Sequence, residues 1–316
     1  MSLTDKISAK EIILGVILLV VVAIAMFFTL SNFKAEGAQT DLVISEAGAK
    51  NPNHVGVSMK LLGLDAIKGD ATARLEFTPK GNLVNEENTL THPLKFFINS
   101  ANGKQEIEFS KGKRMTPVEA VINTYDGNVS DYPFDEHKAE VEIYLTPGKS
   151  DEKKADEKPV AADRAGEEPA GAKKEEAAPE DIPIVVDFFG SLPGYKITAK
   201  NTKESDENYV LFDVNFDRSP TAVFFSIFIA AMMWGLSIAV LFLVLSIVVR
   251  KRKPEIAMFS FMAALLFAFY AVRNSQPNVP PIGVFSDFIS FFWAEIIVAA
   301  CLLIGVFTWI FRPSKT

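Results

Sequence analysis

The chain reads as a membrane protein of mixed class, with an external antiparallel β-sandwich plus a four-helix α-helical transmembrane region. Three observations predict it. Four apolar blocks carry almost no charge. Basic residues recur at matching ends of those blocks. The long polar stretch between the first and second blocks is written in short alternating runs separated by turn residues.

The first block, residues 12–30, has 19 residues without a charge. As a helix it would cover roughly 28 Å, about the thickness of a hydrocarbon core. The second block, 220–249, is long and should tilt or project. The third, 256–272, is near the minimum, and the fourth, 287–311, is ample. Lys6 and Lys10 precede the first block, Arg250 to Lys253 fill the link 250–255, and Arg312 and Lys315 follow the fourth. With four spans all three clusters fall on one side, which the positive-inside rule makes cytoplasmic. Residues 1–11 and 312–316 are then cytoplasmic, and 31–219 and the Pro-rich loop 273–286 are external. The localisation implied is the plasma (inner) membrane, multi-pass, with the β-domain periplasmic or extracellular. A cleaved signal peptide ending near Ala35-Glu36-Gly37 is the alternative for the first block; its apolar core is long for one, and Lys34 intervenes.

Within 31–219 the candidate strands are Asp41–Ser45, Val55–Leu64, Ala71–Thr78, Leu94–Asn99, Gln105–Phe109, Val118–Ile122, Ala139–Leu145, Ile184–Phe189, Tyr195–Ala199 and Tyr209–Phe216. Turn signals such as Lys68-Gly69-Asp70, Asp126-Gly127-Asn128 and Pro193-Gly194 separate them. Many short strands with frequent turns suggest a sandwich or barrel, and a sandwich returns both ends of the domain to the membrane. Residues 148–180 are Lys, Glu, Asp, Ala, Gly and Pro with almost nothing to bury, and read as a disordered insertion. Ser219-Pro220 is a favoured helix start, so the domain should join the helices with almost no slack.

A net charge of −7 with no basic domain argues against nucleic acid. The one cysteine, Cys301, lies in the last apolar block, so the polar domain has neither disulfide nor cysteine metal site. The three histidines, His54, His92 and His137, have no metal-binding spacing, and no nucleophile elbow or phosphate loop is present. No cofactor and no catalytic residue is indicated, and the chain reads as no enzyme. The partners implied are the lipid bilayer, an envelope protein or external ligand, and further copies of the chain as a homo-oligomer.

Candidate functional residues fall in two groups. Tyr132-Pro133-Phe134-Asp135 reads as a corner whose two aromatics anchor the loop on the sandwich and whose carboxylate bonds nearby amides. With Arg218 it is a candidate for coupling the domain to the membrane. His137, beside Asp135 and Glu136, reads as part of a solvated surface cluster. In the last third, Arg273 and Asn274 end the third span and Asp287 opens the fourth. Arg273 and Asp287 complement the helix dipoles and are placed to pair, or else line a polar vestibule. Glu295 lies about 12 Å deeper on a regular helix. A carboxylate there costs about 2.5 kcal/mol or more on insertion, so it should face the bundle or water. At 100° per residue, residues 287, 291 and 295 share one side within about 80°.

Asp131-Tyr132-Pro133-Phe134-Asp135, Arg218-Ser219, Leu266 to Asn274, Pro277, Pro280-Pro281-Ile282-Gly283, Asp287 and Phe292-Trp293-Ala294-Glu295 together resemble a family of uncharacterised bacterial multi-pass membrane proteins, known as a domain of unknown function. The resemblance spans about Val55 to Trp309 and implies architecture, without an activity. The acidic insertion departs from that family's compact pattern. The aromatic-Pro-Phe-Asp loop and the Arg before a membrane helix are also similar to pentameric ligand-gated channels. Those have four spans after the sandwich where this chain has three, and this chain lacks a carboxylate ring at a pore end. Two functions are therefore expected: an envelope binding or scaffold protein whose β-domain is coupled to the bundle, or a channel or transporter with Glu295 and Asp287 along an ion or proton path.

Overall fold

The computed structural model describes residues 9–36, 40–101, 106–148 and 182–312. Expectations for Lys6, Lys315, Gln105 and all but the first residue of the charged insertion fall outside the described residues.

The β-domain contains ten strands among the described residues: β1 (Thr40–Ser45), β2 (Val55–Asp65), β3 (Asp70–Pro79), β4 (Leu94–Ile98), β5 (Glu106–Phe109), β6 (Val118–Asp126), β7 (Glu136–Pro147), β8 (Ile184–Gly190), β9 (Tyr195–Asn201) and β10 (Tyr209–Arg218). They follow the period-2 pattern. In β8 the buried positions Ile184, Val186 and Phe188 alternate with half-buried ones.

The strands run β1-β8-β2-β3-β6-β7-β10-β9 in one sheet, with β4 between β7 and β5. β6 turns the corner. Its first part pairs with β3, and its last residues, from Thr124, pair with β7. The path ends, β1 and β9, approach one another, so the sheet folds around its own core and is as much barrel as sandwich. Val57, Met59, Leu75, Phe96, Phe188 and Phe212 are buried in that core. Each such side chain contributes about 1.5–3 kcal/mol.

The expected all-antiparallel pairing is corrected at one place: β2 pairs β8 in parallel, Val55 opposite Ile184 through Lys60 opposite Phe189. Parallel neighbours need a long connection. β8 follows the chain's longest interstrand segment, so it can enter beside β2 without a hairpin.

Four helices are long and apolar enough to cross a membrane. They are α1 (Ala9–Glu36), α2 (Pro220–Val249), α3 (Ile256–Asn274) and α4 (Phe292–Phe311), the last preceded by a π turn, Asp287–Phe291. Ser219 caps α2, its hydroxyl accepting from the Ala222 amide at 3.2 Å, with Pro220 in the first helical position. Met233 and Val240 of α2, Met262 and Phe269 of α3, and Ala294 and Val298 of α4 form the bundle core. Ser237 donates to the Ala294 carbonyl at 3.2 Å and Trp234 to the Ile289 carbonyl at 3.0 Å. At the far end Arg312 donates to the carbonyls of Arg252 and Ile247, closing the basic link against the end of α4. The contact of α1 with the rest includes Phe28 against Phe224, with ring centroids 5.4 Å apart.

Candidate functional site

The β-domain meets the helices along a polar seam. β10 runs directly into α2, so its last residue, Arg218, lies at the junction. Its Nε and Nη2 fork onto the two oxygens of Asp135, at 2.8 and 3.1 Å. His137 Nε2 makes a 2.9 Å hydrogen bond to the same carboxylate. The guanidinium carbon lies 4.9 Å from the Tyr132 ring centroid and 4.3 Å from that of Tyr195. Arg218, Asp135, His137 and Tyr132 are all buried.

Strand geometry explains the assembly. Asp217 and Phe216 of β10 pair with Glu136 and His137 of β7, which brings the loop before β7 to the start of α2. His137 is an inward position of β7, in phase with Ala139, Val141 and Ile143. This corrects the solvated cluster expected from its acidic neighbours. Gly127 makes room for the ring: its φ is +130°, and an added Cβ would collide with His137 Nδ1.

Burial by itself would push the Asp135 carboxyl up, but the His137 and Arg218 bonds outweigh it and hold it below the ordinary value. Burial pushes the Tyr195 hydroxyl up to about 12, and the nearby Arg218 charge offsets this only in part. Burial likewise raises Tyr132.

The loop 131–135 includes a cis Tyr132–Pro133 bond. Tyr132 does not anchor the corner on the sandwich. Its hydroxyl shares a 2.8 Å bond with Ser226 of α2 and donates to the Pro277 carbonyl at 3.1 Å, while its carbonyl accepts from the Ser286 amide at 3.3 Å. Phe134 is also corrected, since it is 54% exposed. Asp135 bonds side chains where backbone amides were expected. Pro133 is buried beside Tyr132. Two further bonds cross the seam, Ser219 amide to Gly194 carbonyl at 3.0 Å and Asn278 side chain to Pro193 carbonyl at 2.6 Å.

Beneath the seam the loop 275–286 wraps around a second pair. Arg273 Nε and Nη2 fork onto Asp287, both at 2.7 Å. Nη1 donates to the Pro280 carbonyl at 2.7 Å and to Asn274 at 3.2 Å, and Nη2 reaches the Pro281 carbonyl at 3.3 Å. Asp287 also accepts from the Gly283 and Val284 amides. Arg273 and Asp287 are each 1% exposed, so they form a closed staple and do not line an open vestibule; Asn274 is exposed.

Glu295 is not joined to this staple. The π turn interrupts the 100° spacing between Asp287 and Phe291. The buried face of α4 runs through Ala294, Val298, Cys301 and Gly305. Glu295 lies half-buried on its flank, and among the described residues its carboxylate makes no hydrogen bond or ion pair. No group of three or more His, Cys, Asp or Glu among the described residues is placed to hold a metal ion.

Sequence reasoning misplaced His137 and missed Tyr195 and Ser226. His137 had a readable signal, its phase with the apolar residues of β7. Tyr195 and Ser226 reach the site only through long-range packing. A cavity of about 510 Å³ also lies at the seam, lined by residues 63–67, Val129, Leu192, Pro193, Tyr195, Arg218 and residues 278–280.

No curated protein matches this sequence. Residues 218–312, the helices α2 to α4, match the model Domain of unknown function (DUF8686). Residues 45–216, more than half of the chain, match the model Domain of unknown function (DUF4436). The two matches meet at the β10–α2 junction that carries Arg218. The chain belongs to the family Domain of unknown function (DUF4436).

Proposed function

We propose that the protein is a non-enzymatic membrane binding or scaffold unit whose β-domain stands on the non-cytoplasmic face of the plasma membrane and is coupled to a helical bundle. The observation that carries this reading is the buried seam. Tyr132 ties the sheet to α2 and the loop 275–286, and beside it the Asp135–Arg218 pair fixes the end of β10 where α2 begins, through side chains sealed from solvent. Such an interface suits transmission of a binding event better than a flexible tether. The membrane part rests on the outward faces of the helices. Phe228, Phe242, Phe267 and Phe307 are all more than half exposed, a surface matched to lipid. Three basic clusters along the sequence favour a cytoplasmic side that holds Arg250 to Lys253 and both described helix ends nearest it.

Sidedness is tested with single cysteines in a Cys301→Ala background. With a membrane-impermeant maleimide on intact cells, Phe134→Cys labels at once and Lys251→Cys labels only after permeabilisation; the reverse pattern contradicts the reading.

One observation favours transport instead: Glu295 has no polar partner among the described residues. Asp287, its expected companion on the path, is consumed by Arg273. In proteoliposomes the scaffold reading predicts no ion or proton flux above empty vesicles. A flux that Glu295→Gln abolishes would establish the channel or transporter reading.

A further inference from the structure

In the loop 131–135 the seam leaves one large apolar side chain over. Tyr132 and Pro133 are buried, and Asp135 is bonded to Arg218 and His137. Phe134 is 54% exposed. Its level follows from bonds on either side of it. α2 has 30 residues, about 45 Å, whereas a hydrocarbon core is about 30 Å thick and the bilayer with its headgroups about 40–45 Å. In the membrane reading above, Arg250 to Lys253 hold the lower end of α2 at the cytoplasmic headgroups. Core and outer headgroup layer then extend upward from Val249 for roughly 35 Å. Ser226, which shares a bond with the Tyr132 hydroxyl, lies about 35 Å from Val249 along the axis. The Tyr132 carbonyl accepts from Ser286. Ser286 precedes Ala294 by as many residues as Ile229 precedes Ser237, and Ser237 bonds Ala294. Ser286 is therefore about level with Ile229, roughly 30 Å from Val249. Both ends of Tyr132 thus lie between the top of the core and the top of the outer headgroups. Tilt of the helices lowers the loop further. The Phe134 Cα is within about 7 Å of the Tyr132 Cα.

The chemistry of the position fits that level. Residues 126–136 include Asp126, Asp131, Asp135 and Glu136 and no basic residue. Lys138, the next cation along β7, is bonded to Asp126 at 3.1 Å. Attraction to an anionic headgroup therefore holds nothing here, and what the loop offers at this depth is an aromatic ring. The helices continue an apolar surface alongside and below it. Phe285, which precedes Ser286, and Phe288 are exposed at the same level, and Phe228 and Phe267 are exposed beneath. We propose that Phe134 is a lipid contact: its ring seats in the glycerol and upper acyl layer of the outer leaflet, so that the β-domain touches the bilayer directly and not only through the helices. Phe134 also borders an open hollow of about 340 Å³ with Asp126, Asp131, Glu136 and Lys138. Lys138 pairs with Asn215, on the sheet side of Arg218, so this polar wall faces away from the helices. Through it the position stays open to the outer water, and a cysteine there still meets an aqueous maleimide. The proposal rests on the membrane reading above and adds a surface to it.

The test uses the full chain in a Cys301→Ala background with single cysteines, each labelled with the fluorophore NBD. The protein is placed in phosphatidylcholine nanodiscs whose lipid carries a nitroxide either near the top of the acyl chain or near its methyl end. Phe267→Cys, in the middle of α3, marks the membrane core. Glu108→Cys marks the far end of the β-domain, since Glu108 pairs with Lys95 and Lys95 with Thr146, at the opposite end of β7 from Glu136. At Phe134→Cys the upper nitroxide removes about half of the emission and the lower one much less, as for a side chain about 5–10 Å inside the boundary. Phe267→Cys is quenched most by the lower nitroxide, and Glu108→Cys by neither. If Phe134→Cys does not fold, benzoylphenylalanine in place of Phe134 keeps an aromatic ring and yields lipid adducts at that position on photolysis. Quenching at Phe267→Cys without quenching at Phe134→Cys, or photolysis without a lipid adduct, overturns the proposal and leaves the membrane reading standing. No quenching at Phe267→Cys overturns the membrane reading and this proposal with it.

Discussion

Two arginine–aspartate pairs are buried among the described residues, one on each side of the boundary between sheet and helices. Arg273 and Asp287 are 14 positions apart and enclose their own loop. Every guanidinium nitrogen has a partner, and Asp287 accepts two amides besides. Arg218 and Asp135 are 83 positions apart and join the end of β10 to the loop before β7, at the junction with α2. There the partners are one carboxylate, itself bonded to His137 of β7, and two aromatic rings, and Nη1 is left over. Leaving a donor unmet costs about 1–3 kcal/mol. The first pair is a closed structural staple. The second holds the end of β10, and with it the start of α2, against the loop before β7.

Breaking the closed pair should have the largest effect. Asp287→Ala leaves a buried guanidinium uncompensated and should cost about 3–5 kcal/mol. Thermal unfolding in detergent measures this, and limited proteolysis should find new cleavage within 275–286. Replacing both partners, Arg273→Met with Asp287→Leu, should recover much of the loss.

The long-range pair should be next, at about 3 kcal/mol for Asp135→Asn, because the two tyrosine rings still hold part of the charge. Its pH dependence separates it from a packing defect. The Asp135 pKa is lowered in the folded state, so its contribution is present above the unfolded value near 3.8 and is lost as pH falls through the folded one. The wild type should therefore weaken in this acid range, and Asp135→Asn should show a flatter profile there.

Tyr195 gives the opposite signature. Its hydroxyl is raised from 10.0 to about 12. The folded state holds that proton more tightly, so this stability is present below pH 10 and is lost as pH rises toward 12. The span corresponds to about 2–3 kcal/mol. Tyr195→Phe should remove that alkaline slope in a pH series of melting temperatures. The smallest effect is expected for Tyr132→Phe, about 1–2 kcal/mol, because it deletes the bonds to Ser226 and Pro277 and keeps the ring.

Much of the architecture was legible because its signals are local. Alternation marked all ten of the described strands, such as Tyr209–Phe216 within β10, and uninterrupted apolar runs marked the helices. Ser219-Pro220 marked the joint between them. The pairing of Arg273 with Asp287 was readable because a short, stiff loop joins two helix ends. What was not legible depends on distant partners. No local signal places β8 parallel to β2, since that choice is made by packing after a long connection. The Arg218–Asp135 bond, the approach of Tyr195 and the bond to Ser226 depend on how β7, β9, β10 and α2 come together. Glu295 drew attention by its chemistry alone, and the π turn broke the arithmetic that set it beside Asp287.

The most direct test of coupling between sheet and helices is amide hydrogen exchange on the wild type and Asp135→Asn, both in lipid nanodiscs. Removing that carboxylate's charge should speed exchange at the start of β7 and the end of β10, and equally in the first turns of α2 and in residues 275–286. Faster exchange confined to the strands, with α2 and the loop unchanged, would mean that the two halves are merely adjacent.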